Sequence, residues 1–293
     1  MHRGFLKLAL VAAAALCATG GRAQEAPQDA GQDETIIVQG KKLPPKVVHR
    51  YVRQVTSTID GQLSRFQDPI CPAVAGFPED YARIVVERIR RVARDVGAPV
   101  AGEKCRANLV VIAAADADAL VRDFRRKRPA IFNGVNNSDL LRAYRPGPVH
   151  MWNSVLLLNE DNQRQTGMIL TVKSASIINL PTKQVMLGST IVIDDDALDG
   201  KTLTQIADYA AMRALSNARP PREGLEADTI MTLFDPSVSP PLSFTEVDRS
   251  YLKGLYKGDP MARGTTAMGR ISRQISLDAK ARGIDTSSDG ETD

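Results

Sequence analysis

A short apolar run near the N-terminus, Leu8 to Ala18, decides how much of the chain is left to fold. Arg3 and Lys7 place positive charge before it, and Gly21-Arg22-Ala23 closes it with small residues at the first and third positions. Those three parts are the layout of a cleavable secretory signal, with cleavage after Ala23. A membrane-spanning helix needs about 20 apolar residues, and this run is only about half as long. Leu16 is too large to precede a lipidated Cys17. No later segment is long and apolar enough to span. The expected mature chain is therefore residues 24–293, periplasmic or secreted, and not an integral membrane protein.

Export changes two further readings. The full chain carries 38 Lys+Arg against 34 Asp+Glu. The leader removes Arg3, Lys7 and Arg22 and no acid, which leaves 35 against 34. A near-neutral chain lacks the positive field that nucleic-acid binding needs, so no nucleic-acid partner is expected. Two cysteines remain, Cys71 and Cys105. In an oxidising compartment they are expected to form one disulfide. Their spacing fits no zinc motif, and there is no Cys-x-x-Cys redox pair.

Residues 24–45 read as a disordered segment, small, polar and acidic up to Glu34, with a β-prone island at Thr35-Ile36-Ile37-Val38-Gln39-Gly40. Helix and strand signals then alternate over residues 46–260, which predicts one α+β domain. Helices are expected over Val47–Thr58, Pro78–Val96, Asp116–Arg126, Ser138–Tyr144, Thr202–Ala218 and Phe244–Tyr256. In the second, Tyr81, Val85, Ile89, Val92 and Val96 make one apolar stripe at helical spacing. Thr202 and Gln205 form a capping box on the fifth. Strands are expected over Leu63–Phe66, Leu109–Ala114, Val149–Leu158, Ile169–Leu180 and Val185–Ile193, two or three of them antiparallel. Residues 261–293 read as a tail, helical over Met261–Ala281 and then polar.

The stretch Thr202 to Gly258 resembles the C-terminal half of metzincin-type zinc metalloproteases. In that family a helix carrying His-Glu-x-x-His leads to a Met-containing turn, and a closing helix reads roughly Leu-Thr-x-x-Asp and then Leu-Tyr-Gly. Here the helix reads Gln205-Ile206-Ala207-Asp208-Tyr209-Ala210-Ala211-Met212, and Met231 stands in the following loop. The closing segments are Leu242-Ser243-Phe244-Thr245-Glu246-Val247-Asp248 and Leu252-Lys253-Gly254-Leu255-Tyr256-Lys257-Gly258. The resemblance covers about a fifth of the chain and implies a zincin-like mixed sheet packed with helices. It departs at its most specific motif. Ala207 and Ala211, or Asp208 and Met212 one residue on, occupy the histidine positions. Neither pair holds catalytic zinc, which needs two imidazoles one turn apart, a third ligand and a base. The resemblance therefore implies a pseudoenzyme with no metal and no cofactor. More widely, Arg65-Phe66-Gln67-Asp68-Pro69-Ile70-Cys71-Pro72 and Gln205 to Leu215 resemble runs in exported alphaproteobacterial proteins. That likeness implies a compartment and no activity.

Other candidate sites are weaker. Ile36, Ile37, Val38 and Gln39 sit in a segment resembling the TonB box of outer-membrane receptors, which would make them a docking strand for an envelope protein; an ordinary edge strand or tail reads the same way. Asp194, Asp195, Asp196 and Asp199 lack the alternating ligands of a calcium loop and fit the start of a helix. Arg122, Arg125, Arg126, Lys127 and Arg128, and likewise Arg88, Arg90, Arg91 and Arg94, read as solvated helix faces. His150, near Trp152 and Ser154, lacks the Gly-x-Ser-x-Gly turn of a serine hydrolase. The expected function is exported, non-catalytic binding or scaffolding in the cell envelope. The alternatives are a hydrolase with a non-zinc site at Asp208, His150 or the Asp194 cluster, and a TonB-linked accessory docking through residues 35–40.

Overall fold

A computed structural model describes residues 42–164, 170–172, 179–221 and 225–287. The leader, the possible docking strand Ile36–Gln39 and most of the strand expected over 169–180 lie outside these residues. The fold is built from α1 (Pro45–Val55), β1 (Ser64–Phe66), β2 (Pro72–Ala75), α2 (Glu79–Asp95), β3 (Leu109–Ala114), α3 (Ala117–Lys127) and α4 (Asn137–Ala143). There follow β4 (Val149–Asn159), β5 (Thr182–Asp194), α5 (Asp195–Leu198), α6 (Leu203–Ser216), α7 (Glu246–Lys257) and α8 (Gly264–Ala281).

One mixed sheet organises these elements, and β5 is its axis. Along one edge of β5 run two parallel partners end to end, β1 beside Gln184–Met186 and β3 beside Ser189–Asp194. β4 lies antiparallel to β5 over its whole length, and β2 adds outside β3 in parallel. β5 begins at Thr182, three residues before the strand expected from Val185. The register of β4 on β5 shifts between Ser154 and Val155, leaving Leu187 as the extra residue and 39% exposed. Such a bulge resets which face each side chain takes.

Strand alternation then splits the core in two. Leu109, Val111, Met151, Ile191 and Ile193 enter the larger cluster, which also takes in the buried faces of α1, α2, α6, α7 and α8. Their neighbours Ile112, Ala114, Trp152 and Val192 turn to the other face, beneath α3 and α4. The result is α+β in three layers, with the sheet in the middle.

Two expectations need correction here. Tyr81 is 51% exposed, because the first turn of α2 stands clear of the core; the buried stripe is Val85, Ile89, Val92, Ala93 and Val96. Arg88 and Arg90 do not belong to a solvated face. Arg90 is buried and bonds the carbonyl of Ala101, and Arg88 reaches an acid on α6. α8, within the stretch read as a tail, buries Ile271, Ile275 and Ala279. It packs on α7 at Gly254, where a Cβ would come within 2.9 Å of the Ile271 Cα.

Cys71 and Cys105 form the disulfide, closing 34 residues of separation between the start of β2 and the loop before β3. A loop of that size contributes about 3–4 kcal/mol by restricting the unfolded chain.

Candidate functional site

Helix α6 is the element on which the sequence places chemistry. Thr202 accepts from the Gln205 N–H, and the Gln205 side chain returns to the Thr202 N–H, so the capping box is complete. Asn217 ends the helix in the left-handed conformation. Between them the helix is buried nearly all round, with Ala207, Ala210, Ala211, Met212 and Ala214 fully inaccessible. Small side chains on that face let α2 and the sheet approach closely.

Asp208 is also fully buried. Its two carboxylate oxygens receive the Arg88 guanidinium as a fork, Nε at 2.7 Å and Nη2 at 2.9 Å. The Phe244 backbone N–H adds a third bond at 2.6 Å. The hydrogen bond to Asp208 holds the Arg88 pKa above its ordinary value, ahead of the opposing effect of burial. Asp208 thus joins α2, α6 and the segment that opens α7.

Met231 lies in a one-turn 3₁₀ segment, Ile230–Thr232, and is itself buried. A second buried acid, Asp248 in the first turn of α7, fixes that segment. It accepts from the Tyr51 hydroxyl (2.8 Å), the Thr229 hydroxyl (2.5 Å), the Ile230 N–H (2.8 Å) and the Thr245 hydroxyl (2.8 Å). Burial pushes the Asp248 carboxyl above its usual range against these bonds. Burial, with the Asp248 charge next, drives the Tyr51 phenol well up.

The other candidate residues are not brought to α6. His150 is buried on the α3/α4 face of the sheet, with Nδ1 2.8 Å from the Ala143 carbonyl. Its Nε2 is 3.0 Å from Asp118 Oδ1 but is not aligned for a hydrogen bond. The sheet stands between His150 and Asp208. Asp194 caps α5 and accepts from the Ala117 N–H, a structural role at the β5–α5 junction. Arg126 and Lys127 pair with Asp123 on their own helix, as a solvated face would. Among the described residues, no three His, Cys, Asp or Glu side chains stand together so as to hold a metal ion, and no helix is long and apolar enough to cross a membrane.

No protein-family model, curated protein or solved structure matches the chain.

The surface beside α6 carries what sequence reading missed. A cleft of about 750 Å³ opens where α1, α4 and α6 end against the start of β4. Arg53, Arg142, Arg145, Arg213 and Arg219 line it, with Asp139 as its one acid among the described residues. A smaller hollow of about 200 Å³ shares Val149, Arg213 and Pro220 with it and reaches Tyr209, Met231 and Phe234. The five arginines are scattered singly along the sequence, three of them in the last turns of helices. Cations are ordinary at helix C-termini, so no local pattern marks them.

Proposed function

We propose that the chain is an exported, non-catalytic binding or scaffolding protein of the cell envelope, built on a zincin-like frame whose former zinc helix now serves packing. The periplasmic or secreted location rests on the leader. The observation that carries the reading is the bonding of Asp208, the polar residue at the altered zinc positions. Both its oxygens are committed to Arg88 and Phe244, and its neighbours Ala207, Ala211 and Met212 are closed off from solvent. A general base needs an oxygen within reach of substrate or of an activated water. An acid whose oxygens are taken up in a closed core does not offer one. Met231 and Asp248 fit the same reading, as a Met-bearing turn held in place by the closing helix.

Affinity capture of the tagged full chain from its own envelope, with and without residues 35–40, tests this. A specific envelope partner is the expected result. A partner retained after the deletion places the binding surface on the folded core. A partner lost with it supports docking through Ile36–Gln39. Recovery of no partner in either sample counts against a binding role.

A further inference from the structure

The two ends of the disulfide stand in unlike surroundings. Cys71 is only 5% exposed, immediately before β2, and Asn108 pins its backbone. The Cys71 N–H donates to Asn108 Oδ1 at 2.7 Å, and the Cys71 carbonyl accepts from the N–H groups of Asn108 and Leu109. These bonds do not pass through the sulfur, so they hold the strand whether or not the disulfide is closed. Cys105 is half-buried and lies outside any helix or strand. Its neighbours Glu103, Lys104, Arg106 and Ala107 are exposed. A group arriving from solvent therefore meets the Cys105 sulfur first.

A buried cation stands beside that sulfur. Arg90, on α2, donates Nη1 to the Ala101 carbonyl at 2.6 Å and Nη2 to the Gly102 carbonyl at 3.3 Å. Nη2 also lies 3.5 Å from Cys105 Sγ. The two carbonyls fix the guanidinium without neutralising it, and no acid pairs with Arg90 among the described residues. The other charged groups around the sulfur are exposed: Glu103, Lys104 and Arg106 on its own loop, and Glu87, Arg91 and Arg94 on α2. The strand β2 brings no charged side chain. A buried cation with no counter-charge is costly. A thiolate at Cys105 would supply one, and a neighbouring arginine favours thiolate over thiol.

We propose that Cys71–Cys105 is an exchangeable disulfide, with Cys105 as its reacting sulfur and a dithiol as its partner. A thiolate of the dithiol attacks Cys105 Sγ. The Cys71–Cys105 bond breaks, and its electron pair leaves on Cys71 Sγ, which takes up a proton. The second thiolate of the dithiol then attacks the partner sulfur of the mixed disulfide. That bond breaks, and its electron pair leaves on Cys105 Sγ beside Arg90. The partner is oxidised to a disulfide and the protein is reduced to two cysteines. A stabilised thiolate is the better leaving group, so Arg90 speeds the second step and favours the reduced protein. The proposal does not depend on how α6 is read.

The test is iodoacetamide alkylation of the full chain carrying Cys71→Ser, read at the Cys105 peptide by mass spectrometry across pH, folded and in urea. In the folded protein the half-maximal rate is expected at least about one pH unit below that in urea. Adding Arg90→Met should remove most of that gap, whereas Arg90→Lys, which keeps the charge, should retain it. The comparison of folded with urea-unfolded protein stands even if Arg90→Met does not fold. Glutathione disulfide should form a mixed disulfide on Cys71→Ser about tenfold faster than on Cys105→Ser. In the unaltered chain, dithiothreitol should reduce the disulfide while circular dichroism shows the fold retained. The proposal is overturned if Cys105 gives the same pH profile folded and in urea, or if Arg90→Met and Arg90→Lys change it equally. It is equally overturned if dithiothreitol reduces the disulfide only as the chain unfolds, which would make the bond a staple alone.

Discussion

Asp248→Ala is expected to destabilise the protein by about 4–6 kcal/mol, a loss large enough to leave much of the chain unfolded. The carboxylate it removes serves donors from three places: Tyr51 on α1, Thr229 and Ile230 at the Met-bearing turn, and Thr245 at the α7 cap. Each buried donor left without an acceptor costs about 1–3 kcal/mol, and the α7 capping box is lost as well. Tyr51→Phe removes one of these donors and should cost only about 1–2 kcal/mol. Asp248→Asn should fall between them. One amide oxygen can keep the Ile230 N–H, while the hydroxyls of Tyr51 and Thr229 turn to accept. The pH dependence has a definite sign. Burial raises the Asp248 carboxyl in the folded state. Its contribution is therefore fully present below the ordinary carboxylate value and lost as pH rises through the raised one. The asparagine variant does not titrate there, so its penalty should be larger in acid than at neutral pH. Urea unfolding of the four proteins at two pH values checks the order and the sign.

Arg88→Met is expected to cost about 3–5 kcal/mol, because it leaves the Asp208 carboxylate inaccessible and held by the Phe244 N–H alone. Asp208→Leu should cost less, about 1–3 kcal/mol. The Arg88 side chain is 23% exposed and can turn its head to water. Combining the two should recover most of the Arg88→Met loss, since an apolar pair in place of a buried ion pair is often close to neutral. A double-mutant cycle by chemical denaturation measures that coupling. Additive losses would mean that the two residues act separately, and Asp208 would again be open to a chemical role.

Much of the architecture was legible because it is local. The capping box at Thr202, the apolar strands Leu109–Ala114 and Val149–Asn159, and the helix from Glu79 to Asp95 each show their period or their cap within a few residues. The disulfide followed from counting two cysteines. What the sequence hid depends on contacts far along the chain. Arg88 and Asp208 are 120 residues apart, and the helix periodicity of α2 gives no reason to prefer Arg88 to Arg91 as the cation that reaches the buried acid. Tyr81 keeps the helical spacing of its stripe but sits in a turn with nothing packed over it. The bulge at Leu187 and the basic cleft arise only once β4 and β5 pair and three helices end at one place.

The most direct measurement of whether α6 serves packing or chemistry is the metal content and peptidase activity of the purified full chain after incubation with zinc. The expected result is far less than one equivalent of zinc and no proteolysis of a casein substrate, with or without chelator. A full equivalent of zinc, together with proteolysis abolished by chelation, would contradict the reading of Ala207, Asp208, Ala211 and Met212 as structural.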